Sequence, residues 1–391
     1  MPLIHWLQLA MTDGIGPILM RRLIDRMGDA ESACGASLRD LQEVDGIGSA
    51  TATKIHRSLR EAAGRAEAEL AKAGKLGVRI ICPEDDAYPP LLKEIPDPPA
   101  VLYVRGELQP RDLNSVAIVG SRRCSHYGRE QAERFGSLLA GAGVTVISGG
   151  ARGVDSAAHR GAIRHPDGRT IAVLGCGIDI TYPPENQSLF EQIAARGAVI
   201  SEYPIGTQPL AENFPRRNRI VSGMSRGVLV IEADTRSGAL ITARQAADDH
   251  NRPVMAIPGR VDNPLSAGPH ALIRDGATLV TSLEDILDAL GPLPESVYVE
   301  PDAQTPASDE PTLPFEPKPA GGPTAPAIEL TDRQRRLLEH LGVDPMNVDD
   351  LVEATDLPAH LVLQEMTFLT LKGVVKRSDG QTFARAAGSR P

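Results

Sequence analysis

The chain has 391 residues, of which 41% are hydrophobic and 24% charged, and its formal net charge is −10. That length supports two or three domains, and that composition belongs to soluble globular proteins, not to disordered or fibrous ones. No run approaches the roughly 18–20 apolar residues of a membrane span, and MPLIHWLQLAMTDGIG lacks the basic and apolar regions of a signal peptide, so a cytoplasmic location without membrane contact is expected.

Residues 1–75 read as an all-helical domain. Asp13-Gly14-Ile15-Gly16-Pro17 and Asp45-Gly46-Ile47-Gly48-Ser49 repeat one pattern, each leading into a helical run, Leu19–Met27 and Ala50–Leu59. The repeat resembles the helix–hairpin–helix motif, whose glycines let backbone N–H groups approach a DNA phosphate. A tight turn between two packed helices needs the same glycines. Residues 76–110 carry two short strands, Val78–Ile81 and Val101–Val104, around a proline-rich stretch from Tyr88 to Pro99. They lead into the next domain, which completes the span 76–290.

From 111 to 290 apolar runs alternate with helical stretches. Val116–Val119, Val144–Ile147, Thr170–Leu174, Ala198–Ser201, Gly227–Ile231, Pro253–Ile257 and Ala277–Val280 read as strands. Near-continuous apolar strands between helices predict a mostly parallel sheet covered on both faces, an α/β Rossmann-like doubly wound domain. Residues 291–328 are rich in proline and acid and read as a linker. Residues 329–391 read as three helices and a small hairpin, a winged helix, with Pro358–Leu371 as its third helix.

The chemistry is limited by what is missing. The turn after the first buried strand reads Gly120-Ser121-Arg122-Arg123, not G-x-G-x-x-G, which disfavours a dinucleotide. There is no P-loop lysine and no G-x-S-x-G elbow. Cys34, Cys82, Cys124 and Cys176 are widely spaced, which disfavours a zinc site or a disulfide framework. No cofactor or metal is therefore expected. What remains is arginine. Residues 111–290 hold 19 arginines and no lysine. Arginine offers a planar, bidentate donor to phosphate, although a GC-rich genome gives the same bias.

Several of these arginines follow strand ends or open helices. Arg122 and Arg123 end the first strand, and Ser148-Gly149-Gly150-Ala151-Arg152 ends the second. Phe214-Pro215-Arg216-Arg217-Asn218-Arg219 opens a helix, and Arg236-Ser237-Gly238 follows the strand at 227–231. The carboxyl ends of parallel strands are where such folds bind ligands, and free backbone N–H groups there suit phosphate. Asp155, His159, Glu202, Glu232 and Asp234 are candidates for acid–base work, but Asp155 reads more simply as a charge at a helix N-terminus.

These stretches, with SGGARGVDSAAHRGA at 148–162, NFPRRNRIVSGMS at 213–225 and EADTRSGALITARQA at 232–246, resemble the DprA (Smf) family of DNA-processing proteins. The resemblance spans nearly the whole chain. It implies a homodimer that binds single-stranded DNA without sequence preference, protects it in natural transformation and loads the RecA recombinase, with no catalysis. It places the DNA-contacting arginine on Arg122, the basic helix position on Arg216, followed by Arg217 and Arg219, and the phosphate-binding turn on Ser148-Gly149-Gly150. The sequence departs from the family pattern at Pro184-Glu185, where a basic residue is common, and at His270. The full expected contact set is Gly120, Ser121, Arg122, Arg123, Ser148, Gly149, Gly150, Arg152, Phe214, Arg216, Arg217, Asn218, Arg219, Ser237 and Gly238.

Two further points follow from the residues. Pro358–Leu371 has no Lys or Arg, which favours a protein-contact role for the winged helix over groove reading. The alternative function is a nucleotide-processing enzyme of the lysine-decarboxylase-like phosphoribohydrolase group. Its P-G-G-x-G-T-x-x-E loop is absent at 232–239.

Overall fold

The computed structural model describes residues 2–292 and, beyond them, 332–341, 346–355, 357–358, 361–362, 365–366, 369, 375–379 and 382–385. The chain divides into two compact units, Met1–Ala303 and Gln304–Pro391.

The first unit opens with five helices: α1 (Pro2–Ala10), α2 (Pro17–Met27), α3 (Ala30–Cys34), α4 (Leu38–Gln42) and α5 (Ser49–Lys75). Asp29 caps α3 by accepting from Ser32 N at 2.7 Å, and Ser37 with Asp40 forms a capping box on α4. Leu9, Leu23, Leu41, Ile55 and Leu59 close a small core between these helices. Gly14 and Gly46 have φ of +90° and +92°, so each loop of the repeat needs glycine at that position. Leu7, Ala66 and Ala73 pack instead against Tyr103, Phe190 and Val199. The helical segment therefore shares a hydrophobic core with the sheet that follows. Glu69 of α5, 1% exposed, accepts from Tyr103 Oη at 3.1 Å and Ile205 N at 2.7 Å.

The sheet follows in the order β1 (Arg79–Ile81), α6 (Pro90–Lys93), β2 (Leu102–Gly106), β3 (Ser115–Val119), α7 (His126–Gly141), β4 (Thr145–Ser148), α8 (Val154–Arg164), β5 (Thr170–Val173), α9 (Gln187–Arg196) and β6 (Ala198–Ser201). It continues with α10 (Asn213–Gly223), β7 (Gly227–Val230), α11 (Gly238–Arg244), β8 (Val254–Ala256), α12 (Ala267–Arg274), β9 (Thr278–Leu279) and α13 (Leu283–Leu290). The spatial order is β1-β2-β6-β5-β4-β3-β7-β8-β9. Strands β3 to β9 run parallel, while β2 pairs antiparallel with β6 and β1 with β2. Apolar side chains of the central strands fill a core on each face, with Val119, Ile147, Val173 and Val230 on one and Val116, Ile118, Val146 and Leu229 on the other. This is the expected doubly wound α/β class, with an antiparallel edge that the apolar pattern of 78–104 does not distinguish from the rest. From β3 the chain moves outward through β4 and β5 to β6. From β7 it moves the other way through β8 to β9. The winding reverses between β3 and β7.

In the second unit, α14 (Asp332–His340) and α15 (Val348–Thr355) accompany a sheet of β10 (Met346–Asn347), β11 (Val375–Asp379) and β12 (Thr382–Arg385) in the order β10-β12-β11. Leu337, Leu351, Val362, Met366, Leu369 and Phe383 form its core. Residues 293–328 of the expected linker and most of the expected third helix, 358–371, lie outside the described residues.

Candidate nucleic-acid interface

The reversal between β3 and β7 predicts a crevice beyond their carboxyl ends. A cleft of about 640 Å³ lies there, walled by the loops after β3, β4 and β7 and by the start of α10.

The loop after β3 is held from below. Ser121 N donates to the Glu232 carbonyl at 2.6 Å, and Val154 N donates to the Ser121 carbonyl at 3.2 Å. The Glu232 carboxylate, 1% exposed, accepts from Ser125 N at 2.7 Å, Ser125 Oγ at 2.6 Å and Asn263 Nδ2 at 3.2 Å. Ser125 in turn caps α7 by accepting from Gly128 N at 3.1 Å. All the polar capacity of Glu232 on this side goes into fixing the loop, so it is a tether and not an exposed acid. The arrangement leaves Arg122 and Arg123 exposed. The Arg122 guanidinium lies 4.9 Å from the centre of the Phe214 ring, and Tyr182 stacks on Phe214 with centroids 5.5 Å apart. Both are favourable contacts that pre-set the arginine at the cleft wall.

The loop after β4 turns at Gly149-Gly150. Gly150 has φ of +66°, and a Cβ there would strike the Phe190 ring. Asn186 Nδ2 donates to the Gly150 carbonyl at 2.9 Å and to Ser156 Oγ at 2.8 Å. Beneath the turn lie Arg217 and Asp155, both buried. Arg217 Nη1 donates to the Gly149 carbonyl at 2.6 Å and also to the Val173 carbonyl. Burial pushes the Asp155 carboxyl above its ordinary range, opposed by the Arg217 charge and by the Ala151 N–H it accepts.

Ten of the expected residues line the cleft: Gly120, Ser121, Arg122, Arg123, Gly149, Phe214, Arg217, Asn218, Ser237 and Gly238. Ser148, Gly150, Arg152, Arg216 and Arg219 do not. Ser148 is buried and its hydroxyl donates to the Ile118 carbonyl at 2.6 Å, so it braces adjacent strands and is corrected from contact to support. Arg219 is corrected likewise. It is 6% exposed, with Glu202 at 2.6 Å and the half-buried Asp97 at 3.0 Å, because a buried guanidinium needs opposite charge beside it. Arg217 reaches the cleft floor, where its Nη1 braces the Gly149 and Val173 carbonyls while its buried Nε has no partner. Arg216 is exposed on the outer side of α10. Arg152 stands at a neighbouring hollow, paired with Glu185.

Helical period carries the missing signal. Within α10, Arg217 shares a face with Ile220 and Val221, three and four residues on, and all three are buried. Arg216 falls on the other face. Asp155 and Asp234 also line the cleft, as does Tyr182. His159 lies in the interior, its Nδ1 2.7 Å from Thr170 Oγ1. Among the described residues no group of acids, histidines and cysteines is arranged to hold a metal ion, and no helix is long and apolar enough to cross a membrane.

Residues 79–291 match the family model of DNA recombination-mediator protein A, and residues 321–381 match the DprA winged helix domain. The chain is 35% identical to Protein Smf of Synechocystis sp. over 97% of its own length and 98% of that protein. It is 46% identical to DNA processing protein DprA of Streptococcus pneumoniae over 52% of this chain and 71% of that one. The X-ray structure of DNA processing protein A from the same organism superposes with a TM-score of 0.62 at 35% identity, covering 73% of this chain and 96% of that one. With a reversed-wound sheet, an arginine-lined cleft at the reversal and a match over 97% of its length, the chain belongs to the DprA family.

Proposed function

We propose that the cleft binds single-stranded DNA through its phosphates, without base-sequence preference, in natural transformation and recombination. The observation that carries this reading is the convergence of Arg122, Arg123 and Gly149 at the point where the sheet winding reverses. Arg122 and Arg123 supply the charge. Phe214 and Tyr182 offer one stacking platform, and exposed Arg216 extends the positive rim. Protein-wide scarcity of aromatic residues, 3%, favours backbone recognition over base reading. The protein acts by binding rather than catalysis, as a cytoplasmic homodimer that hands the strand to RecA. Two buried acids beside the cleft, Glu232 beneath its β3 loop and Asp155 on its wall, support that reading because they hold loops.

Fluorescence anisotropy with labelled oligo-dT tests it. Three phosphate contacts, through Arg122, Arg123 and Arg216, give a log–log salt slope of about −2. A slope near zero, or release of free base from nucleoside monophosphates, contradicts the reading. Light scattering after size exclusion, with and without oligo-dT, tests the dimer.

A further inference from the structure

We propose that Glu185 is a built-in competitor for Arg152, occupying its guanidinium in place of a nucleic-acid phosphate and so lowering the affinity and salt sensitivity of the cleft. This rests on the single-stranded DNA reading above.

Arg152 ends the loop after β4, in a hollow whose walls include Arg122, Gly149, Tyr182 and Phe214, all of which also line the main cleft. A strand lying on Arg122 and Phe214 passes within reach of this position. The guanidinium is taken in the two-point manner of a phosphate. Its Nε donates to Glu185 Oε1, and its Nη2 donates to Oε2 at 2.9 Å.

The carboxylate is not there by the chance swing of a surface side chain. Glu185 sits in the single turn Pro184–Asn186, and the next residue, Asn186, is 4% exposed and fastened to the Gly150 carbonyl and Ser156 Oγ. One buried amide thus ties the backbone carrying the acid to the loop carrying the base. Arg152 holds the Glu185 carboxyl below its ordinary range, so the acid is charged at neutral pH. Both side chains are 52% exposed, which keeps the pair weak. A weak competitor sets affinity within a few-fold without closing the site.

The test compares the intact protein with Glu185→Gln and with Glu185→Gln/Arg152→Ala, by anisotropy on labelled oligo-dT across a salt series. Glu185→Gln should bind about three- to five-fold more tightly, the most that an exposed ion pair withholds. Its log–log salt slope should steepen by about 0.7, one additional phosphate. The double variant should lose both gains. Unchanged affinity in Glu185→Gln overturns the inference, and so does a gain that survives in the double variant, which would be general removal of negative charge. If the unaltered protein does not bind oligo-dT, the single-stranded DNA reading falls and this inference with it. Binding by the unaltered protein with no response to Glu185→Gln defeats this inference alone.

Discussion

Arg122 and Arg217 carry the same charge and do opposite work. Arg122 stands exposed against Phe214, whereas Arg217 is buried and its Nη1 donates to the Gly149 and Val173 carbonyls. Arg122→Ala should weaken oligo-dT binding by one to two orders of magnitude, read by anisotropy, with an unchanged melting temperature, because the side chain braces no backbone group. His159 makes a different prediction. Thr170 Oγ1 donates to the Val146 carbonyl at 2.6 Å, so it accepts from His159, whose Nδ1 must carry the proton. Burial pushes its pKa down from 6.5 to about 3. The folded state then keeps His159 neutral where the unfolded chain protonates it. Its contribution to stability is whole above pH 6.5 and is lost as pH falls from there towards 3. Urea denaturation at pH 7.5 and pH 5 should show a stability loss about 2 kcal/mol smaller in His159→Gln than in the unaltered protein.

At the scale of elements, the site depends on loops passing close to one another. Gly153 opens α8 with φ of +75° and ψ of −124°, and a Cβ there would run into the carbonyls of Ser121 and Arg122. Gly153→Ala should cost about 3 kcal/mol or more in urea denaturation, from backbone strain and overlap together. Gly143 shares the φ of +75° but faces open space, so Gly143→Ala should cost only about 1–2 kcal/mol. The sequence made the strand–helix–strand unit legible because Val116–Val119 and Val144–Ile147 are unbroken apolar runs, and the structure places strands at Ser115–Val119 and Thr145–Ser148. It made the arginine loops legible because each follows such a run. The antiparallel edge was not legible, since strand direction leaves no mark on a buried apolar run. Nor were the internal partners of Arg219, because Asp97 and Glu202 are distant in sequence and only the fold brings them together.

Taken whole, the chain is acidic, yet residues 111–290 balance 19 acids with 19 arginines and draw all their positive charge from arginine. The helical segment is joined to the sheet by a shared core and by Glu69, whose contact with Ile205 N reaches the segment leading into α10. The cleft lies entirely in the first unit. A chain ending at Pro292 should therefore bind oligo-dT within about twofold of the full protein, by the same anisotropy measurement. The pairing of β3 with β7 sets Val116 opposite Gly227, with three other strands formed by the chain between them. A ribosome that has translated β3 to β6 has made both leading arginine loops but not the tether Glu232 or the wall from Ser237. Until the next stretch emerges, those arginines have no crevice, and a nascent chain halted before Gly227 should crosslink to oligo-dT far less than one released after Arg244. The site comes into being late in synthesis, in one step, when a distant strand arrives beside the first.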